Sequence, residues 1–294
     1  DELAGLARTM RDLAAHVPTG RDDLLDTAGT GGGRSTFNVS TTAALIAAGA
    51  GCAVAKHGNR SATSRSGSAD VLEALGARID LGPAQVACCI DEAGFGFMFA
   101  PAHHQATRFV VPVRAELAVR TIFNLLGPLT NPAGARRQLV GVSDPAFLAT
   151  IGGALARLGV DRALVVSSED GLDEVSCAAP TKVVEVNGQE LRSYVLRPED
   201  VGIDIDGGGA LEGGTPEQNA AVTRTILGGG EARPPGEALA VINAGAAIYV
   251  AGAAADIAEG VQAARAAIAD GRALGALDGY VEASRRLAPS EAAR

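Results

Sequence analysis

The stretch that decides the fold runs from Leu24 to Gly76: LLDTAGTGGGRSTFNVSTTAALIAAGAGCAVAKHGNRSATSRSGSADVLEALG. A short apolar segment opens it and breaks at once into the cluster Gly29-Thr30-Gly31-Gly32-Gly33. A hydroxyl-rich helix start follows at Asn38-Val39-Ser40-Thr41-Thr42. A second apolar segment ends in the basic turn Lys56-His57-Gly58-Asn59-Arg60, and a serine-rich loop leads to another helix start at Ser66-Gly67-Ser68. Three successive strand-to-helix junctions therefore carry glycine, hydroxyl and cationic groups. Glycine lets backbone N–H groups close on an anion, and helix N-termini favour negative charge. The stretch reads as the site of a phosphate-rich ligand.

Outward from it, short apolar runs alternate with helical patterns. The runs predict strands over 24–27, 52–56, 95–100, 138–142 and 163–167, and helices over 40–50, 67–75, 83–93, 145–158 and 215–228. Such alternation with glycine-rich junctions predicts an α/β fold, a large domain with a mainly parallel central sheet covered by helices. Thr181–Val186 and Leu191–Val195 flank Asn187-Gly188, a hairpin signal that adds an antiparallel excursion. Residues 1–17 have the three-and-four apolar spacing of an amphipathic helix, and Pro18 to Asp23 reads as a linker. The segment 103–127 has helical spacing broken by Pro112 and carries Arg114 and Arg120. It is expected to dock with 1–17 in a small helical lobe. We therefore expect residues 1–20 to belong to that lobe and 21–294 to the α/β domain, with the alanine-rich 236–288 helical and covering the sheet.

The chain of 294 residues, 47% of them hydrophobic, is long enough to bury a large core, which excludes a disordered or fibrous class. Its 25 basic and 34 acidic residues leave a net charge of −9, the reverse of a general nucleic-acid binder. Aromatics are only 3%, so no stacking platform is expected. Cys52, Cys88, Cys89 and Cys177 form no C-x-x-C and read as reduced thiols. No apolar run reaches membrane-span length, and a cytoplasmic location is expected.

Gly29 to Arg34 matches neither common nucleotide fingerprint. G-x-G-x-x-G requires glycine where Arg34 stands, and a Walker loop requires a lysine that is absent. Asn38 to Thr41 could bind ligand oxygens or serve as ordinary N-caps, and the two roles are compatible. The Lys56–Arg60 turn lies at a strand end, where open α/β sheets place ligands, although a solvated turn is the plainer reading. Asp173-Glu174, on a loop after a strand, could hold Mg2+ with substrate phosphates or could simply be solvated. Arg114 could grip a carboxylate bidentately or pair with Glu116. His103 and His104 are spaced wrongly for a helical metal pair.

The blocks LLDTAGTGG, TFNVST, VAKHGNR, SGSADVLEALG, FAPAHH, PVRAEL, RTIFNLLGPLTNPA, GLDEVS and LEGGTPEQN, in this order, resemble the anthranilate phosphoribosyltransferases of tryptophan biosynthesis. The resemblance covers nearly the whole chain. It implies transfer of the phosphoribosyl group of phosphoribosyl pyrophosphate (PRPP) to the amine of anthranilate, with release of pyrophosphate and with Mg2+ as cofactor. It also implies a nucleoside phosphorylase-like fold with a small helical and a large α/β domain, commonly as a homodimer. By motif position, PRPP would be held by Gly29, Gly32, Gly33, Thr36, Asn38, Val39, Ser40, Thr41, Lys56, His57, Gly58, Asn59, Arg60, Ser61, Ala62, Thr63, Ser64 and Ser68. Ser40, Asp173 and Glu174 would hold magnesium. Gly29, Asn59 and Arg114 would contact anthranilate, with His57 and His104 lining its path. Arg114, Asn59 and Lys56 would carry most of the catalysis. Partners would be these two small molecules, with no nucleic acid and no membrane.

Two departures from the family pattern stand out. Gly33 occupies the place of an aspartate, and the loop to Asn38 is one residue short, which implies weaker PRPP or Mg2+ binding or a compensating group. Members also carry further helices ahead of residue 1, so 1–17 would be a remnant of the helical domain and the dimer would be weakened. The nearest rival is a pyrimidine nucleoside phosphorylase of the same fold, which has no need of Asp173-Glu174. A catalytically impaired nucleotide-binding paralogue is the other.

Overall fold

The computed structural model describes residues 1–61, 65–105, 110, 116, 121–203, 212–229 and 236–289. Seven strands form one sheet: β1 (Leu25–Asp26), β2 (Val54–Gly58), β3 (Phe95–Phe99), β4 (Arg137–Gly141), β5 (Arg162–Ser168), β6 (Thr181–Asn187) and β7 (Glu190–Leu196). Their order is β3-β2-β1-β4-β5-β6-β7. The first five run parallel, while β6 and β7 are antiparallel. The hairpin turns at Asn187-Gly188, where Gly188 takes φ +58°, a conformation that favours glycine.

Eleven α-helices lie among the described residues: α1 (Glu2–Asp12), α2 (Val39–Gly49), α3 (Ser68–Ala74), α4 (Pro83–Ala93), α5 (Ala100–His103), α6 (Phe123–Leu126), α7 (Leu148–Arg157), α8 (Pro216–Gly228), α9 (Glu237–Val250), α10 (Ile257–Ala269) and α11 (Arg272–Leu287). Local chemistry sets many of their ends. Pro83 starts α4 and left-handed Gly94 stops it. Thr215 accepts from the Gln218 backbone at α8's start, and left-handed Gly229 stops that helix.

The alternation along each strand divides the core in two. Leu139, Leu164, Val166 and Val183 face a large cluster that includes α2, α9 and α11. Val140, Ala163, Val165, Val184 and Val186 face a second, smaller cluster with Leu148 and Ile151 of α7. Leu3, Ala4 and Ala7 of α1 join this second cluster, as does Leu126 of α6. The first helix thus packs on α6, within the 103–127 segment expected to receive it, and also on α7, and it ends at Asp12 instead of continuing to 17. Beyond it the chain is tied down by Ala15 N–H donating to the His103 carbonyl (2.8 Å) and Val17 N–H to the Pro132 carbonyl (3.2 Å).

Between the sheet and the outer helices, α2 and α9 are buried nearly all round, which explains why their sequences are alanine-rich without a polar face. Close approach of α9 and α10 rests on two glycines. A Cβ on Gly245 would lie 2.6 Å from Val261, and one on Gly260 would run into the Gly245 carbonyl. Gly260→Ala is therefore expected to destabilise the fold by about 1–3 kcal/mol, read as a lower urea midpoint at unchanged slope. Neutral or higher stability, as helix propensity alone would give, would show that the two helices can separate at no cost.

Candidate active site

In the strand order, β1 lies between β2 and β4, so the connections leave it in opposite directions. Open sheets bind ligands at the carboxyl ends of strands at such a reversal. A cleft of about 1280 Å³ opens there, lined by the residues that follow β1, by Lys56–Ser61 at the end of β2, by Gly141 at the end of β4 and by Asp173-Glu174. Met10 of α1, Ala100, Pro101 and His104 around α5, and Phe123, Asn124 and Leu126 of α6 form the facing wall.

After β1 the chain passes directly over β4. Gly29 bridges to Gly141 in parallel fashion, and Thr30 N–H donates to the Gly141 carbonyl at 2.8 Å. The glycines are required by space. A Cβ at Gly141 or at Gly33 would collide with Asp173; at Gly33 it would also lie 2.8 Å from the Asp173 backbone nitrogen. Arg34 N–H then donates to the Gly171 carbonyl at 2.8 Å. The glycine loop and the acidic loop are thus laid against each other. No aspartate side chain fits at position 33 with the loop in this form.

The loop ends at the N-terminus of α2. Asn38 does not cap that helix with its side chain. Its Oδ1 instead accepts from Ser66 Oγ (3.0 Å) and Asn219 Nδ2 (2.9 Å), and its Nδ2 donates to the Ser66 carbonyl (3.1 Å). Asn38 therefore joins the glycine loop, the serine loop and α8. The Ser40 backbone N–H donates to Glu174, so one first-turn amide already faces an anion, as the helix dipole favours.

Under this junction lies a set of buried charges. The Lys56 ammonium, 1% exposed, donates to the Thr27 carbonyl (2.8 Å), Thr27 Oγ1 (3.0 Å) and Ser40 Oγ (3.4 Å). Burial lowers its pKa, and the Coulombic pull of Asp26 and Glu174 opposes the fall. Asp26 is fully buried, and burial raises its pKa against Lys56, Asn131 and the His57 amide. Its two oxygens accept from His57 N–H (3.1 Å) and Asn131 Nδ2 (2.7 Å), which fixes the end of β2.

The His57 ring hydrogen-bonds the Gly127 carbonyl through Nδ1 (3.2 Å) and lies 5.1 Å from the His104 ring. Its Nε2 has no partner among the described residues. Desolvation first, then His104, lowers its pKa to about 3.

Asn243 of α9 holds the acidic loop from behind. This buried amide accepts from Val175 N–H (2.9 Å) and donates to the Val175 carbonyl (2.8 Å), one residue past Glu174. Glu174's carboxyl is pushed up to about 8 by desolvation and then by Asp173, with Lys56 opposing. Ser40, Asp173 and Glu174 all line this part of the cleft and offer oxygen donors. Among the described residues no group of three or more His, Cys, Asp or Glu could hold a metal. A two-carboxylate set suits Mg2+, which keeps waters and leans on substrate phosphates. The repulsion that raises Glu174 is the kind a divalent cation removes.

The structure therefore gathers most of the expected residues. Gly29, Gly32, Gly33, Thr36, Asn38, Val39, Ser40, Lys56 to Ser61, Ser68, His104, Asp173 and Glu174 all line the cleft. Thr41 does not: it is fully buried and faces the core from α2. Arg60 lines the cleft, but its guanidinium is held by Asp70 (2.7 Å) and Glu73 (2.6 Å). Lys56, His57 and Gly58 belong to strand β2 rather than to a turn, because pairing with Phe97, Met98 and Phe99 carries the ladder through them. Ala62, Thr63, Ser64 and Arg114 lie outside the described residues. Arg34, Arg65 and Asn131 were not singled out from sequence. The first two line the cleft and the third positions it. Only Asn131, within the GPLTNP block, carried a sequence signal.

Comparison with known proteins follows the same line. The family described as "Glycosyl transferase family, a/b domain" matches residues 21–274. The anthranilate phosphoribosyltransferase of Rubrobacter xylanophilus is 54% identical over 288 residues, covering 98% of this chain and 84% of the relative. The crystal structure of the enzyme of that name from Thermus thermophilus is 49% identical with a TM-score of 0.90, over 97% of this chain and 84% of that one. The Saccharomyces cerevisiae enzyme in complex with PRPP and Mg is 27% identical with a TM-score of 0.87, over 97% and 80%. The yeast enzyme has also been solved with 4-fluoroanthranilate.

The buried neutral His57 makes stability sensitive to acid. Its pKa falls from 6.5 unfolded to about 3 folded, so the unfolded chain takes up the extra proton. Stability from this group is complete above pH 6.5 and is lost as pH falls toward 3, by up to about 1.4 kcal/mol per pH unit. His57→Gln should flatten the melting temperature against pH between 6.5 and 4 relative to the parent chain. Parallel curves would show that His57 is charged or solvated in the folded state.

Proposed function

The chain belongs to the anthranilate phosphoribosyltransferase family, and we infer that its cleft carries the family's reaction. It transfers the phosphoribosyl group of PRPP to the amine of anthranilate, giving N-(5-phosphoribosyl)anthranilate and pyrophosphate, in tryptophan biosynthesis. The single observation that carries this to the site is the junction of glycine loop, α2 N-terminus and Asp173-Glu174 at one sheet reversal.

In the reaction the bond from the ribose carbon to the pyrophosphate oxygen breaks, and its electron pair leaves with pyrophosphate. The anthranilate nitrogen forms the new bond and gives up a proton. The aryl amine is neutral at pH 7, so positioning matters more than activation, and no residue is assigned as an obligatory base. Magnesium is the cofactor; when bound it neutralises phosphate charge and helps the leaving group depart. Asp173, Glu174 and Ser40 would hold it. The amides of the glycine loop and of the first turn of α2 would bind phosphate oxygens. Lys56, tied to Thr27 and Ser40, supplies positive charge from beneath the site. Asn38 keeps the two phosphate-facing loops at a fixed spacing.

We assign the anthranilate side to Gly29, Asn59, His57 and His104, with Arg114 as partner of its carboxylate. The two histidine rings lie 5.1 Å apart, tilted 59° to one another, at the wall of the cleft, and their depressed pKa values keep them neutral beside a carboxylate-bearing aromatic. Residues 1–20 belong to the small lobe in this reading and 21–294 to the α/β domain; of the segment 103–127 expected to complete the lobe, 106–109, 111–115 and 117–120 lie outside the described residues. A homodimer through that lobe is supported by the exposed apolar Leu6, Leu13 and Ile122. Cytoplasmic location is supported by four free cysteines. No described helix is long and apolar enough to cross a membrane.

Anthranilate fluorescence should fall only when PRPP and Mg2+ are both present. Combining Asp173→Ala with Glu174→Ala should slow the loss by at least about 100-fold without unfolding the chain. An intact parent chain that leaves anthranilate unconsumed would overturn the assignment.

A further inference from the structure

PRPP brings several phosphate charges into this cleft, and their neutralisation can be counted. Among the described residues, the cations that line it are Arg34, Lys56, Arg60 and Arg65. Lys56 is committed to Thr27 and Ser40, and Arg60 to Asp70 and Glu73. Arg34 and Arg65 have no side-chain hydrogen bond or ion pair among the described residues. Arg65 adjoins 62–64, which lie outside that description, whereas the neighbours of Arg34 in sequence are all described.

The backbone fixes where Arg34 stands. Gly33 is pressed on Asp173 with no room for a side chain, and Arg34 N–H is bound to the Gly171 carbonyl at 2.8 Å. Arg34 thus lines the cleft next to the residue pressed on Asp173, at the end where a metal-bound pyrophosphate would lie. Its side chain is exposed, so contact with phosphate would break no ion pair among the described residues.

We propose that Arg34 is a direct ligand of the pyrophosphate group, the group that compensates on this shortened loop for the aspartate the family places there. An aspartate can reach phosphate only through a metal ion or a proton. Arginine reaches it directly and bidentately. The exchange moves part of the charge neutralisation from metal to side chain. The proposal rests on the phosphoribosyl-transfer reading of the cleft.

Arg34→Ala and Arg34→Lys test it, with circular dichroism and melting temperature as the check on folding. Steady-state rates with anthranilate should show Arg34→Ala raising the KM for PRPP about ten-fold, as loss of a charge-assisted contact does, with the KM for anthranilate within two-fold. Product inhibition by pyrophosphate should weaken by the same factor, and Arg34→Lys should recover part of both. Calorimetric titration of inorganic pyrophosphate with Mg2+ reads the contact without turnover. An Arg34-dependent affinity in a chain that does not consume anthranilate would sink the reaction assigned above and leave this contact standing. Pyrophosphate affinity and PRPP KM unchanged within two-fold in folded Arg34→Ala would overturn the proposal, whether or not the chain is active.

Discussion

No side chain fits between the glycine loop and the acidic loop, and the architecture of the cleft follows from that contact. Cβ atoms at Gly33 and Gly141 would collide with Asp173, and one at Gly29 would stand 3.1 Å from the Gly141 carbonyl. With glycine at all three positions, the chain after β1 can cross the end of β4 and lie on the chain after β5. Phosphate-facing amides and metal-facing carboxylates then sit side by side although about 140 residues of sequence separate them. The sheet order places those strand ends next to each other, and glycine removes the last few ångströms.

The second consequence is electrostatic. Asp26, Lys56 and Glu174 are all desolvated, and each shifts toward its neutral form. Their mutual attraction opposes that shift without abolishing it, the usual balance for buried ions. Such a set contributes little to stability. Its use lies in pre-organisation, since the charges are held by Thr27, Asn131 and the His57 amide before any ligand arrives. Asn243 does the same for the acidic loop from the opposite side. The one side-chain amide within the alanine-rich α9 satisfies both backbone groups of Val175.

How far the sequence was legible follows from the range of the interactions. The hairpin at Asn187-Gly188, the helix from Pro83 to Gly94 and the one opened by Thr215 were readable because their signals lie within a few residues of one another. The motif blocks contain most of the cleft lining, but not Met10, Arg34, Arg65 or Gly141. What could not be read depends on partners far along the chain. Asn38 looks like a cap and is instead a tie to Ser66 and Asn219. Arg60 looks like a phosphate ligand and is paired with Asp70 and Glu73. Thr41 shares a motif with Ser40, but the helical rotation between neighbours turns it into the core. The basic turn proved to be strand because β3 pairs with it as far as Gly58.

Taken alone, a net charge of −9 disfavours a ligand as anionic as PRPP, and the fold shows how the cleft escapes this. Exposed charges act over roughly one Debye length, about 8–10 Å at physiological salt. Many surface acids here are also already matched, as Asp23 is by Arg21 and Asp161 by Arg136. Inside the cleft the balance is set by groups that solvent screens poorly: Lys56 beneath the floor, the amides at the start of α2, and carboxylates that favour a divalent cation. An overall acidic surface then limits nonspecific binding of polyanions, while this one junction remains able to hold a small, densely charged one. The selectivity is local because the dielectric is local.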